Sequence, residues 1–175
     1  MVSQSIWGNA LKKILHVVTN VAHYEDESHL TGLWLSELAH AWEVFAESGY
    51  TQTIISPAGG AVPLEPRSLK FPNYNAAAKD WHLDPLKMAL LENTLSAGDV
   101  SATDFDAIYF TGGHAVMYDF PGNTALQNLT ADFWEQGKLV PYNAQQEMIE
   151  RGAGYSKALL PFIPHVVVDG NLVTG

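Results

Sequence analysis

The side chain of Glu37 lies at an unusual position in a predicted amphipathic helix. On a helical wheel with Trp34 at zero, Glu37 falls at about 300°, on the flank of the apolar face. Burial against apolar surface raises the pKa of a carboxyl group unless a donor or charge compensates, which makes Glu37 a candidate catalytic residue. A long side chain at such an edge can also reach solvent. The remaining polar residues form the predicted solvated arc: Ser36, His40, Glu43 and Glu47.

A second group of candidates follows the predicted strand Asp106–Phe110. Gly112 and Gly113 allow the backbone to adopt positive φ and to bring N–H groups close to a ligand at the end of the strand. Such N–H groups can stabilise an oxyanion. His114 and Tyr118 follow in the same loop and could line a pocket there. The alternative is an ordinary tight turn followed by a surface histidine.

The loop His23–His29 combines three carboxylates with two imidazoles, a composition that could bind Zn²⁺ or another divalent ion. Nothing in the spacing fixes these ligands relative to one another, and charged loop tips are usually solvated. We therefore predict no metal site here. A metal-assisted hydrolase that uses this loop is the least favoured alternative.

Composition limits the possible functions. The 175 residues, 47% of them hydrophobic, predict a single domain over residues 1–175 with a sizeable core. A formal net charge of −10 argues against binding to a phosphate backbone, so nucleic acid is not an expected partner. No apolar stretch is long enough to cross a membrane, and no secretory signal is evident, so we expect a cytoplasmic protein. The sequence has no cysteine.

The elements that must position these candidates alternate between strand and helix, which predicts an α/β fold. We expect a mainly parallel sheet between helices, with an antiparallel hairpin near one edge. The segment Pro57–Asp84 reads as a long connection. Strands are predicted at Lys13–Asn20, Thr51–Ser56, Asp106–Phe110 and Lys138–Val140, helices at Thr31–Ser48, Pro85–Leu95, Gly122–Gly137 and Asn143–Arg151, and a hairpin at His165–Thr174.

Two motifs, Thr31–His40 and Thr111–Pro121, resemble the ThiJ/PfpI superfamily, in particular its branch of heat-shock chaperones and glutathione-independent glyoxalases (glyoxalase III). The resemblance implies a flavodoxin-like, class I glutamine amidotransferase-like fold and a cofactor-free site built from a cysteine, a neighbouring histidine and a glutamate. Glu37 matches that glutamate, which is thought to be protonated and to donate to the sulfur. In the same way, Gly112 and Gly113 match the turn facing the nucleophile, and His114 and Tyr118 match the pocket wall.

One departure from the family pattern is severe. Where the family carries its Cys-His-Gly nucleophile elbow, Val140 passes directly to Pro141, and the family's final helix has no counterpart before Gly175. We therefore expect a domain that is incomplete relative to the family.

The resemblance implies a stress-response lyase that converts the small dicarbonyl methylglyoxal to lactate, or a protein deglycase, acting as a homodimer. As written, the chain is predicted to be inactive because it lacks the nucleophile. The main alternative is a non-catalytic, chaperone-like or interaction module.

Overall fold

The computed structural model describes residues 12–142, 167–169 and 172–174. These residues contain a seven-stranded sheet. The strands are β1 (Lys13–Val17), β2 (Thr51–Ser56), β3 (Leu95–Ser96), β4 (Ala107–Phe110), β5 (Val140–Tyr142), β6 (Val167–Asp169) and β7 (Leu172–Thr174). The helices are α1 (Leu35–Glu47), α2 (Ala76–Leu83), α3 (Pro85–Ala89), α4 (Val116–Asp119) and α5 (Thr124–Glu135).

The strand order is β3-β2-β1-β4-β5-β7-β6. Neighbouring strands run parallel except β6 and β7, which are antiparallel at one edge. The predicted α/β fold, with a mainly parallel sheet and an edge hairpin, is confirmed. From β1 the chain passes first to β2 on one side and later to β4 on the other. In open α/β sheets, ligands bind at the carboxyl ends of the strands where the winding reverses, here between β1 and β4.

Apolar side chains pack on both faces of the sheet. Alternate residues of a strand point to opposite faces, so Ile54 and Ile55 of β2 belong to different clusters. One cluster joins Leu15, Ile108 and other strand residues to Leu126, Leu129 and Phe133 of α5. The other packs α1 and α2 on the opposite face and includes Leu33, Leu35, Leu38, Ala39, Ala78 and Trp81. The sheet is therefore covered on both sides, as a parallel sheet requires.

The first helix begins later than the sequence predicts. The predicted start at Thr31 is wrong, because α1 begins at Leu35 and Trp34 provides no side-chain cap. The hydroxyl of Thr31 instead donates to the buried carboxylate of Glu65, 2.9 Å away. The end is as expected, with Gly49 at φ 76° beyond the last turn.

The segment Pro57–Asp84 is not only a connection, since it contains α2. Asn75 caps this helix by accepting a hydrogen bond from the backbone N–H of Ala78. The next helix, α3, starts at Pro85 as predicted but ends at Ala89, well before the expected end at Leu95.

Proline does not end the fifth strand. β5 continues through Pro141 to Tyr142, and Pro141 pairs in register with Val173 of β7. The predicted helix at Asn143–Arg151 lies outside the described residues. Within the part of the chain that the structure describes, no helix has the length and apolar character needed to cross a membrane.

Candidate functional site

The structure brings the start of α1 and the glycine turn after β4 together at the carboxyl edge of the sheet. Gly113 has φ 119°, in the region that favours glycine. A Cβ atom at Gly113 would lie 3.8 Å from the Cβ of Trp34 and 4.0 Å from the carbonyl oxygen of Gly32. The turn therefore lies directly against the loop that leads into α1, and Glu37 is in the first turn of that helix.

Glu37 is half-buried and accepts a hydrogen bond from the backbone N–H of Gly112. Burial raises the pKa of Glu37 to about 7, in the predicted direction, and the Gly112 N–H opposes that rise. The Oε2 atom of Glu37 is buried and has no hydrogen-bond partner among the described residues. Close to neutral pH this carboxyl group is thus present in both protonation states, and one of its oxygens has unused hydrogen-bonding capacity among the described residues.

A cavity of about 390 Å³ opens beside Glu37. One lining residue, Ser36, was predicted from the helical wheel to be solvated and is instead buried. Glu43, which has the same prediction, is half-buried, whereas His40 and Glu47 are exposed as expected. The start of α1 is enclosed by the rest of the fold, since Leu35, Leu38 and Ala39 are buried there as well. The lining residues are Ser36, Glu37, His40, Ala41, Val44, Phe45 and Tyr109.

His114 and Tyr118 are exposed, and neither lines this cavity. The ring of Tyr118 makes an edge contact with that of Tyr24, with centroids 5.8 Å apart. Next to Tyr118, Asp119 accepts hydrogen bonds from the Thr19 hydroxyl and the Asn20 backbone N–H at 2.9 and 2.8 Å. The loop that follows the glycine turn is thereby tied to the loop that follows β1. A pocket-wall role for His114 and Tyr118 stays a prediction.

An ion pair near this edge, between the buried carboxylate of Glu65 and the exposed Arg67, was missed by the sequence reasoning. The carboxylate of Glu65 accepts from Arg67 Nε at 2.8 Å and from Arg67 Nη2 at 2.9 Å, in addition to the Thr31 hydroxyl. Arg67 Nη2 also donates to the hydroxyl of Tyr24 at 3.1 Å. The hydrogen bonds from Arg67 lower the pKa of Glu65 to about 2. No pattern in the proline-rich segment around Glu65 signals this arrangement.

The acidic-histidine loop forms hydrogen bonds within itself. Asp26 accepts from the backbone N–H of Ser28 at 2.9 Å, and its other oxygen lies 2.8 Å from Nδ1 of His29. Over the described ranges, no three His, Asp or Glu side chains come close enough together to hold a metal ion. The geometry gives the metal-assisted alternative no support.

Sequence comparison finds relatives among glyoxalases, although no family model matches. The chain is 25% identical over 173 residues to "Probable glutathione-independent glyoxalase hsp3103" of Schizosaccharomyces pombe, an alignment that covers 85% of this chain and 62% of that protein. It is 26% identical over 132 residues to "Glyoxalase 3" of Candida albicans, covering 73% of this chain and 55% of that protein. The chain therefore spans only about three fifths of the length of these curated relatives.

Comparison with solved structures also finds a glyoxalase. Glyoxalase III of Candida albicans superimposes with a TM-score of 0.78 at 20% identity, covering 94% of this chain and 90% of that one. The chain resembles glutathione-independent glyoxalases in sequence and glyoxalase III in fold. The predicted resemblance is confirmed, and the glutamate and glycine turn that carried it lie together in the structure. The thiol that such a site would use is absent from the 175 residues.

Proposed function

We propose that this chain keeps the carbonyl-binding half of a glyoxalase-type site and binds small dicarbonyl compounds reversibly, without converting them. The observation that carries the proposal is the Glu37 carboxyl group, which lines the cavity, accepts the Gly112 N–H and has its buried Oε2 without a partner among the described residues. In its protonated state this group can donate a hydrogen bond to a carbonyl oxygen. The names of the curated relatives favour a carbonyl substrate.

Covalent conversion requires a nucleophile that the chain does not contain. In the thiol route, a cysteine thiolate adds to the aldehyde carbon of methylglyoxal and the carbonyl oxygen takes up a proton, which gives a hemithioacetal. With no cysteine in the sequence, that carbon–sulfur bond cannot form within this chain. Glu37 acting as a general base on water would give weak catalysis, because an unactivated water molecule is a poor nucleophile.

The test measures turnover and binding on the same purified chain. Intact mass first establishes that the protein is the 19.1 kDa form. We expect no formation of lactate from methylglyoxal above the rate of Glu37→Ala, and saturable shifts of the Gly112 and Gly113 amide resonances in NMR spectra. Glu47→Ala, on the exposed end of the same helix, is the matched control and should bind as the unaltered chain does. Lactate formation that disappears in Glu37→Ala would show that the chain is an active lyase.

A non-catalytic, chaperone-like or interaction role in a homodimer is the second candidate. It is favoured by exposed apolar residues on and next to α1, where Val44 is 59% exposed and Tyr50 is 37% exposed. Light scattering coupled to size-exclusion chromatography would test the homodimer, with a mass of twice the chain expected. A cytoplasmic location, a stress-response role and deglycase activity stay predictions.

A further inference from the structure

We propose that the cavity beside α1 binds uncharged ketones or aldehydes that carry an aromatic or branched apolar group, a larger class than the three-carbon dicarbonyls. This inference deepens the proposed function, because it uses the same carboxyl group of Glu37. It rests on the size of the cavity, on the separation of polar from apolar groups along it and on the buried oxygen at one end.

The cavity is open to solvent and has more room than a three-carbon dicarbonyl fills. Its volume of about 390 Å³ lies within the ~300–1,000 Å³ range of pockets that hold drug-sized ligands. Glu37, Ala41 and Val44 are spaced by four and three residues, so they line one side of α1 over two turns. At 1.5 Å per residue, this side extends for about 10 Å. A ligand that fills it needs an extended body.

The two ends of the cavity differ in chemistry. At the Glu37 end, Ser36 is buried and Oε2 of Glu37 is buried without a partner among the described residues. One to two turns further along α1, the lining is supplied by Ala41, Val44 and Phe45, and Val44 is 59% exposed. A polar atom of the ligand would therefore bind deep in the cavity, and an apolar group would lie toward the opening.

An uncharged carbonyl fits the deep end better than a carboxylate does. The backbone N–H of Gly112 already donates to Glu37, so the protonated carboxyl group has its own O–H to donate. A carbonyl oxygen accepts that bond without bringing a second negative charge beside the carboxyl group. The chain as a whole carries a formal net charge of −10, which further disfavours an anionic ligand.

Protonation of Glu37 should control this binding. Among the described residues, the other titratable groups facing this region are His40 on the same helix and Tyr109 on β4, and His16 of β1 lies beside Tyr109. Burial raises the pKa of Tyr109 and lowers that of His16 to about 4, so both stay uncharged through neutral pH. His40 is an exposed imidazole that lines the cavity, so a variant of its own separates its contribution from that of Glu37.

The experiment compares three probes by NMR chemical-shift titration of the full chain. Benzylacetone has both a ketone and a phenyl group, butylbenzene lacks the ketone and acetone lacks the phenyl group. At about pH 6, where Glu37 is mostly protonated, we expect benzylacetone to shift the amides of Ala41, Val44 and Tyr109 with a Kd about tenfold below that of either other probe. At about pH 8.5 its preference over butylbenzene should disappear, because the carboxylate cannot donate.

Variants separate the ketone contact from the apolar contact. Glu37→Gln keeps an N–H donor that does not titrate, so it should retain the ketone preference at both pH values. Val44→Asp, at an exposed position, should weaken benzylacetone binding several-fold and leave acetone unchanged. His40→Gln should keep the pH dependence of the unaltered chain. Glu47→Gln and Leu86→Asp, which change exposed residues outside the cavity, are the matched controls and should have no effect.

Two results would overturn the inference. Equal affinity for benzylacetone and butylbenzene at about pH 6 would mean that Glu37 makes no contact with the ketone and that the cavity is an apolar surface only. The absence of saturable shifts at Val44 and Tyr109 would mean that the cavity is not a ligand site. If methylglyoxal still shifted the amides of Gly112 and Gly113 in that case, the proposed function would stand and this inference would fail. Shifts with benzylacetone but not with methylglyoxal would support this inference and contradict the proposed binding of small dicarbonyls.

Discussion

The carboxyl group of Glu37 is balanced between two opposing influences. Burial raises its pKa, and the Gly112 N–H, which stabilises the charged form, lowers it, with the result that the pKa is about 7. The burial comes from a helix flank that the wheel identifies correctly. The sequence could not show that Gly112, 75 positions further along the chain, supplies the donor, since only the fold brings β4 beside α1.

Removing the aromatic ring beside Glu37 should return the pKa of its carboxyl group toward the ordinary value. In Tyr109→Ala, the half-buried ring beside Glu37 is lost and water reaches the carboxyl group more easily, so we expect the pKa of Glu37 to fall from about 7 toward 4.5. A ¹³C NMR titration of the side-chain carboxyl would measure it. Phe71→Ala is the matched control, because Phe71 is 96% exposed and lies outside the cavity. A pKa near 4.5 in the unaltered chain would contradict the assigned burial.

Other residues of the site region could not have been identified from sequence. Glu65 reads as one more charge in a proline-rich segment, yet it is 2% exposed and binds Arg67 and Thr31. Arg67 is only two positions away along the chain, but the contact with Thr31 and the burial of the carboxylate arise from tertiary structure. Ser36 shows the reverse error, since its polarity suggested solvent while its position in the first turn of α1 buries it.

At the level of the elements, the loop before α1 is fixed by close backbone packing. Leu33 forms a parallel bridge with Leu64, and its N–H donates to the carbonyl oxygen of Pro63 at 2.8 Å. A Cβ atom on Gly32 would overlap that carbonyl oxygen and approach the carbonyl carbon of Leu64 to 2.7 Å. Both partners are backbone atoms, so neither can move aside as a flexible side chain would.

Gly32→Ala should therefore destabilise the protein strongly. We expect the free energy of unfolding to fall by about 1–3 kcal/mol, the range typical of overpacking, and urea denaturation would measure it. The control is Gly122→Ala, because a Cβ at Gly122 meets nothing within 4 Å; it should stay within about 0.5 kcal/mol of the unaltered chain. Equal stability of the two variants would mean that the loop before α1 is not held as tightly as the structure indicates.

Sequence patterns predicted some elements better than others. The helix predicted at Gly122–Gly137 corresponds to α5, where Leu126, Leu129 and Phe133 repeat at helical spacing and are buried. The shorter α2 was missed because prolines dominate the preceding segment, although Asn75 before an alanine-rich run is a capping signal. Long periodic helices carry enough repeats to be recognised, whereas an eight-residue helix does not.

For the molecule as a whole, the alternation of strands and helices predicts an α/β sheet but not the order of its strands. The apolar strands have similar compositions, so only the structure shows that β1 lies between β2 and β4. That order also places His16 of β1 in register with Tyr109 of β4. The rings of His16 and Tyr109 are 5.5 Å apart, and Tyr109 in turn faces Glu37.

His16 and Glu37 change stability with pH in opposite directions. Burial lowers the pKa of His16 from 6.5 to about 4, so the unfolded chain binds a proton first and stability is lost as the pH falls below 6.5. Burial raises the pKa of Glu37 from 4.5 to about 7, so the folded chain keeps a proton that the unfolded chain has released. The contribution of Glu37 is complete below pH 4.5 and is lost as the pH rises through 7.

Between about pH 7 and pH 5 these two effects should largely cancel, which leaves the stability of the unaltered chain nearly constant. Glu37→Gln removes one of them, so this variant should lose about 2 kcal/mol on acidification over the same interval. The double variant Glu37→Gln with His16→Gln should lose the dependence again, although its stability at every pH will be lower. The measurements stay above pH 4.5 because of Glu65, whose pKa is lowered to about 2 in the folded chain. Below pH 4.5 the contribution of Glu65 to the free energy of unfolding begins to be lost. Urea denaturation at several pH values measures the free energy of unfolding of all three proteins. If that free energy did not change with pH in Glu37→Gln, His16 would not be a buried neutral histidine.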